Sequence, residues 1–385
     1  MDSKQPIYFD HAATTPLHPS VLEQYTDGLA DNFGNPNSLH SFGRTAYGTL
    51  EKARAVLADY LNASSNEIIF TSGGTESDNT AILQVAETRK KYGNHIITTN
   101  VEHSAVLEPM HFLETKGFNV TYLEADETGQ VSLEQVKQAL KKETILVSIM
   151  YGNNELGTIM PIEAIGRYLK ATRPDIVFHT DAVQAFGLET IDVKKQGIDL
   201  LSASAHKLNG PKGVGLLYAR EDLSFESFMK GGSQELKRRA GTVNVPGISA
   251  FQKATEIMRD ERNQKNALYE HLREEVIQKL TEAGILFQVN GNEKEHLSHI
   301  LSIWLKQIPS DRMLTQLDLS GIAVAAGSAC SAGNPEPSHV LTAVFGEDHP
   351  AVKETIRISF GLKNTKEDVG RLVSAIQRAA QRYQK

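Results

Sequence analysis

Two residue types that belong to one kind of chemistry stand at the ends of consecutive apolar runs. Lys207 lies in Ser204-Ala205-His206-Lys207-Leu208-Asn209-Gly210-Pro211-Lys212-Gly213, just after Asp199-Leu200-Leu201-Ser202-Ala203. Asp181 and Gln184 form an Asp-x-x-Gln pair just after Ile176-Val177-Phe178-His179-Thr180. A lysine amine can hold an aldehyde cofactor as a Schiff base. A carboxylate facing a pyridine nitrogen keeps it protonated and makes the ring an electron sink. Lys207 as anchor and Asp181 as pyridinium partner are what a pyridoxal phosphate (PLP) site needs. Either motif alone would be a solvated lysine or a turn; together, on consecutive strand ends, they argue for the site.

The phosphate of such a cofactor calls for backbone N–H groups and hydroxyls at a helix start, and Ser72-Gly73-Gly74-Thr75-Glu76-Ser77-Asp78-Asn79 offers both. Lone Gly-Gly-Thr turns are usually connectors, and the spacing here is neither a Walker loop nor a dinucleotide fingerprint. Gly210-Pro211-Lys212-Gly213-Val214-Gly215 reads as a structural turn. His103, in Val101-Glu102-His103-Ser104-Ala105-Val106, follows a strand at the level of Lys207. With a pKa near neutrality it can stack on the ring and exchange a proton with a substrate thiol or amine. Arg357 sits on a later strand, where a guanidinium could clamp a substrate carboxylate; a surface ion pair would explain it equally. His296 and His299 read as exposed residues of a charged loop, and no metal site is expected.

The chain has one cysteine, Cys330, which excludes an internal disulfide and any multi-cysteine metal site. Single cysteines are mostly inert core residues. This one lies in Ala326-Gly327-Ser328-Ala329-Cys330-Ser331-Ala332-Gly333-Asn334-Pro335-Glu336-Pro337, small and turn-forming residues that read as a mobile surface loop. An exposed thiol on such a tether suits a nucleophile that swings in and out of a site.

These residues need a scaffold that brings strand ends together. Apolar runs at 67–71, 95–99, 145–150, 176–180 and 199–203 alternate with helix-like stretches, as in a mostly parallel sheet covered on both faces. Cofactor chemistry in such sheets sits at the carboxyl ends of the strands, where Gly74, His103, Asn154, Asp181 and Lys207 all fall. A helix from about Ser249 to Ala283 forms a hinge to a smaller α+β unit with strands at 300–305 and 355–360 and a terminal helix. At 385 residues two units are expected. Composition is ordinary for a globular enzyme, with 40% hydrophobic and 23% charged residues. A net charge of −7 gives no overall reason to bind nucleic acid or an anionic membrane. Neither a signal-peptide core nor a run of about 18 apolar residues occurs, so a cytoplasmic protein is expected.

Further motifs follow in order: Tyr8-Phe9-Asp10-His11-Ala12-Ala13-Thr14-Thr15-Pro16, Phe33-Gly34-Asn35-Pro36-Asn37-Ser38-Leu39-His40, Asn153-Asn154-Glu155-Leu156-Gly157 and Arg239-Ala240-Gly241-Thr242. Over nearly its whole length the chain resembles the cysteine desulfurases, fold-type I PLP enzymes that take sulfur from L-cysteine. The resemblance implies an α/β fold, with a large PLP-binding domain at 15–260 and a small domain formed by 1–14 and 261–385. It implies that Gly74, Thr75, Ser204 and His206 bind the cofactor phosphate, and that Thr242 reaches the phosphate in a neighbouring subunit of a homodimer. Asn154 would sit beside the ring hydroxyl, Gln184 would hydrogen-bond the ring and Arg357 would hold the substrate carboxylate. Cys330 would accept the sulfur as a persulfide and pass it to an acceptor protein, an iron-sulfur scaffold or a tRNA-thiolating enzyme. Lys207 would remove the Cα proton, with His103 as acid/base. Two other readings stand beside this one: another fold-type I PLP enzyme, such as an aminotransferase or selenocysteine lyase, and a non-catalytic scaffold for sulfur-relay partners.

Overall fold

The computed structural model describes residues 5–327 and 337–383. Its centre is a seven-stranded sheet of β1 (Ile68–Thr71), β2 (His95–Thr99), β3 (Asn119–Leu123), β4 (Thr144–Ser148), β5 (Val177–Asp181), β6 (Leu200–Ser204) and β7 (Gly215–Ala219). The spatial order is β1-β7-β6-β5-β4-β2-β3. All pairings are parallel except those of β7, which runs antiparallel to β1 and β6. Apart from β3, every residue of these strands is buried, as covered faces require.

Alternating side chains feed two apolar clusters. Phe70, Ile97, Val147, Phe178, Leu201 and Leu216 join one cluster, and their neighbours Ile69, Ile96, Leu146, Val177, Leu200 and Leu217 join the other. This is the period-two geometry of strands sandwiched between helices. The second cluster is completed by Ala81, Ile82, Val85 and Ala86 of helix Gly74–Arg89 and by Val106, Met110 and Leu113 of helix Ser104–Thr115.

A three-stranded antiparallel sheet, Phe287–Asn290, Ile300–Leu305 and Thr355–Ser359, follows the long helix Val245–Glu282. That helix packs against Pro19–Asp31, Ser41–Tyr60 and the C-terminal helix Lys366–Ala380, so it touches elements from both ends of the chain. Ile7–Tyr8 pairs in parallel with Ile322–Ala323. Beyond it, Phe9 accepts a hydrogen bond from the Ser359 amide at 2.7 Å. The first turn of the chain thereby lies between the two larger sheets.

The five apolar runs are β1, β2, β4, β5 and β6, and the expected long helix spans Val245–Glu282. Strands β3 and β7 were not among those runs. β3 has an exposed first residue and half-buried centre, so its apolar signal is weak. The turn Gly210–Val214 reverses the chain into β7, with Gly213 at φ +76°, a conformation open to glycine.

Candidate active site

Asp181 is the last residue of β5, and Lys207 closes the single 3-10 turn Ala205–Lys207 after β6. His103 caps helix Ser104–Thr115 after β2, its Nδ1 accepting from the Ala105 amide at 3.1 Å. The Gly73-Gly74 turn after β1 opens a 16-residue helix, and Asn153–Gly157 follows β4. These carboxyl ends enclose a cavity of about 380 Å³, within the usual range of small-molecule sites. Gly74, Thr75, His103, Asn154, Asp181, Gln184, Ser204, His206, Lys207 and Arg357 all line it. Thr242 does not; it is exposed, on a separate groove with Glu235 and Arg239. Cys330 lies outside the described residues.

The Lys207 Nζ donates to the carbonyls of Ala12 at 2.5 Å and Ala13 at 2.9 Å. Burial lowers its pKa from 10.5 to about 8, assisted by the Arg357 charge and opposed by Asp181 and Asp10. Burial raises the Asp181 carboxyl, while His103, the Val183 amide at 2.9 Å and Lys207 pull it back. Two further carboxyls lie near it. Glu102 accepts from the Met150 amide and the Thr99 hydroxyl, both at 2.9 Å, and burial pushes it up to about 8. Asp78 is raised by burial and by the Asp181 charge. Three buried carboxyls in one another's field oppose one another's ionisation.

Arg357 is 2% exposed, so it forms no surface pair. Its Nη1 donates to the Asn154 carbonyl and its Nη2 to Asp10 Oδ1, both at 2.8 Å. Its Nε is buried without a hydrogen-bond partner. Desolvation against the cavity wall lowers the His103 ring, with Asp181 opposing and Lys207 and His339 assisting.

A class-V aminotransferase family model matches residues 7–372. The chain is a member of that family. Its relatives place it among the cysteine desulfurases of the family. A Methanosarcina thermophila protein named cysteine desulfurase IscS is 44% identical over 376 residues, covering 98% of this chain and 92% of the relative. A Bacillus subtilis (strain 168) protein assigned by name as a cysteine desulfurase IscS 1 is 52% identical over 363 residues, covering 94% and 95%. A solved structure titled as a NifS-like protein superposes with a TM-score of 0.92 at 37% identity, covering 98% of this chain and all of that one. The fold is that of the fold-type I PLP enzymes.

PLP is the cofactor of this family, and the residues present fit it. Asn154 Oδ1 is buried without a partner on the cavity wall, an acceptor awaiting a donor. Gly74 leaves the wall bare at the helix start, where a Cβ would approach Val183 Cγ2 to 2.6 Å. Gly73, Gly74, Thr75, Ser204 and His206 border a second hollow that continues from the cavity, a corner rich in N–H and hydroxyl groups at a helix N-terminus. Lys207 would hold the aldehyde end and Asp181 the ring nitrogen.

The structure corrects two sequence expectations and adds residues. His299 is buried rather than exposed, its Nε2 3.3 Å from Gln184 Oε1. The buried Leu297, whose side chain lies against Gly152, draws the end of the charged loop inward. His296 is likewise not exposed but half-buried, where it pairs with Glu270 at 2.9 Å. Glu155 and His339 join the cavity wall. His339 reaches Glu102's carbonyl at 2.8 Å across 237 positions, so no local pattern announces it. Asp10 and Glu155 stood inside family-like motifs without an assigned role.

Proposed function

We propose that this class-V aminotransferase acts as a cysteine desulfurase, converting L-cysteine to L-alanine and leaving the sulfur as a persulfide on Cys330. The observation that carries it is one cavity in which a buried, low-pKa lysine, a buried carboxylate and an arginine meet at strand ends. PLP, when bound, supplies an aldehyde that holds amines and a cationic ring that withdraws electrons. The chain's residues do the rest. Lys207 anchors the cofactor; once the substrate amine takes its place, its neutral Nζ takes the substrate Cα proton. Asp181 balances the positive ring nitrogen. Gly74, Thr75, Ser204 and His206 hold the phosphate, and Asn154 and Gln184 orient the ring. Arg357, with one N–H still unpartnered, receives the substrate carboxylate beside Asp10. His103 exchanges a proton at the substrate sulfur.

The Cys330 thiolate then attacks that sulfur. An S–S bond forms, the C–S bond breaks with its electron pair left on carbon, and protonation completes alanine. The persulfide passes to a sulfur-acceptor protein of iron-sulfur cluster assembly or tRNA thiolation, in the cytoplasm. In our reading the enzyme is a homodimer in which Thr242 reaches the partner's phosphate corner, and 15–260 and 1–14 with 261–385 serve as large and small domains.

The test is a visible spectrum of the purified protein, followed as L-cysteine is added with alanine and sulfide assayed together. Matched alanine and reductant-dependent sulfide with a shifting cofactor band support the proposal. Cofactor without alanine, but with a keto acid, would redirect it to amino transfer. Failure to take up supplied PLP would leave a scaffold.

A further inference from the structure

The cavity wall contains an acid to which the proposed reaction assigns no task. Glu155 is buried, and its backbone is fixed because the amides of Glu155 and Leu156 both donate to Asn153 Oδ1, at 2.8 and 2.9 Å. Its Oε2 accepts from the Ser338 hydroxyl. Ser338 Oγ at the same time caps helix His339–Phe345 by accepting from the Leu341 amide at 3.1 Å. Gly327 packs on the other side: a Cβ there would come within 2.3 Å of Glu155 Oε2 and 3.0 Å of Ser338 Cβ. Gly327 is delivered to that spot by the preceding backbone, where Ala325 pairs with Arg357 through two hydrogen bonds of 3.1 and 2.6 Å. A residue beyond Ser338, His339 bonds the Glu102 carbonyl.

Among the described residues, Gly327 and Ser338 are the nearest buried ones on either side of the sequence that includes Cys330. Both meet on one carboxyl group whose neighbour, Asn154, bonds Arg357. We propose that Glu155 is a positioning residue: its carboxyl clasps Gly327 and Ser338 together at the cavity rim and so fixes the two points from which Cys330 reaches the substrate sulfur. Burial also raises the Glu155 carboxyl, against Ser338, His339 and Arg357, in keeping with a group held by packing rather than by solvent. The requirement for glycine at 327 has the same origin, since any side chain would displace the acid. The inference rests on the persulfide reading of Cys330.

The holoenzyme tests it. Glu155→Ala is expected to keep full cofactor content and absorption, and a KM for L-cysteine within about twofold. Its kcat for alanine formation falls about 10- to 100-fold, the cost of a nucleophile misplaced by about an ångström. Ser338→Ala lowers kcat in the same sense, and the double variant is no worse than Glu155→Ala, because both remove one clasp. Glu155→Gln, which keeps an acceptor for Ser338, restores most of kcat. A parental kcat in Glu155→Ala, additive losses, or cofactor loss parallel to kcat in both the Ala and Gln variants would overturn the proposal. Should Glu155→Ala fail to fold, an undiminished kcat in Ser338→Ala overturns it alone. Cys330→Ala in the same assay separates the two readings: multiple turnover there removes the persulfide step whatever Glu155 does.

Discussion

Lys207 is made reactive by its surroundings. A lysine in water holds its proton to a pKa of 10.5, whereas burial beside Arg357 brings this amine to about 8. The neutral form, which alone attacks an aldehyde or takes a proton, is therefore available near physiological pH. The sign follows directly: capture of PLP by the cofactor-free protein should accelerate as pH rises through about 8 and level off above it. Stopped-flow absorbance measures this, and a midpoint remaining near 10.5 would contradict the assignment. Asp181→Asn leaves the shape but removes the carboxyl proposed to face the ring nitrogen. A fall in kcat/KM of about 10²- to 10³-fold is expected by steady-state alanine assay, by analogy with loss of one electrostatic stabiliser. Lys207, Asp181 and His103 stand out in the sequence because each comes within four residues of the end of an apolar run, and the structure brings all three to one cavity. The partnership of Arg357 with Asp10 could not, since 347 positions separate them.

At the scale of elements, the site depends on how strands hand over to helices. Gly73 stands at φ 152° and ψ −176° between β1 and its helix, a region essentially reserved for glycine. Gly73→Ala should therefore lower stability by about 1–3 kcal/mol and weaken cofactor retention, read by thermal melting with and without PLP. An unchanged melt in both states would mean the turn relaxes freely. A second stress lies nearby, where Glu235, Leu236 and Lys237 all take positive φ. It is held by the buried Arg54–Glu235 pair, with N–O distances of 2.8 and 2.7 Å, while Glu235 also accepts from the Phe70 amide of β1 at 3.0 Å. Removing Arg54 strands a buried carboxylate, so Arg54→Ala should cost about 3–5 kcal/mol in denaturant unfolding. The buried strands were visible in the sequence as unbroken apolar runs. β7 is just as buried, but its short run Leu216–Ala219 follows straight on the glycine-rich turn and does not stand apart from it; its antiparallel place between β1 and β6 is set by pairing, which leaves no local trace. His299 was misread for a related reason: burial there is decided by Leu297 meeting Gly152, not by the charged residues preceding it.

At the scale of the whole molecule, the homodimer reading calls for an exposed apolar face. Phe33 and Phe42 lie with ring centroids 5.3 Å apart, both exposed, and Leu39 is 91% exposed between them in sequence. Exposed apolar groups of this kind are what contact between two copies of the chain would cover, if the homodimer reading holds. Sedimentation should give twice the 42.3 kDa chain mass, and Phe42→Asp with Leu39→Asp should lower it to one chain. A single-chain mass for the parent protein would end the homodimer reading. The N-terminal turn described above has a consequence for how the enzyme is made. Ala12 and Ala13 hold the amine of Lys207, and Asp10 holds Arg357. The segment from Asp10 to Ala13 thus has to meet partners 195 and 347 positions away before the pocket is whole. The side of the pocket that receives the substrate carboxylate therefore closes only once Asp10 and Arg357 have met, whereas the groups assigned to the cofactor lie between Gly74 and Lys207 and can gather without it.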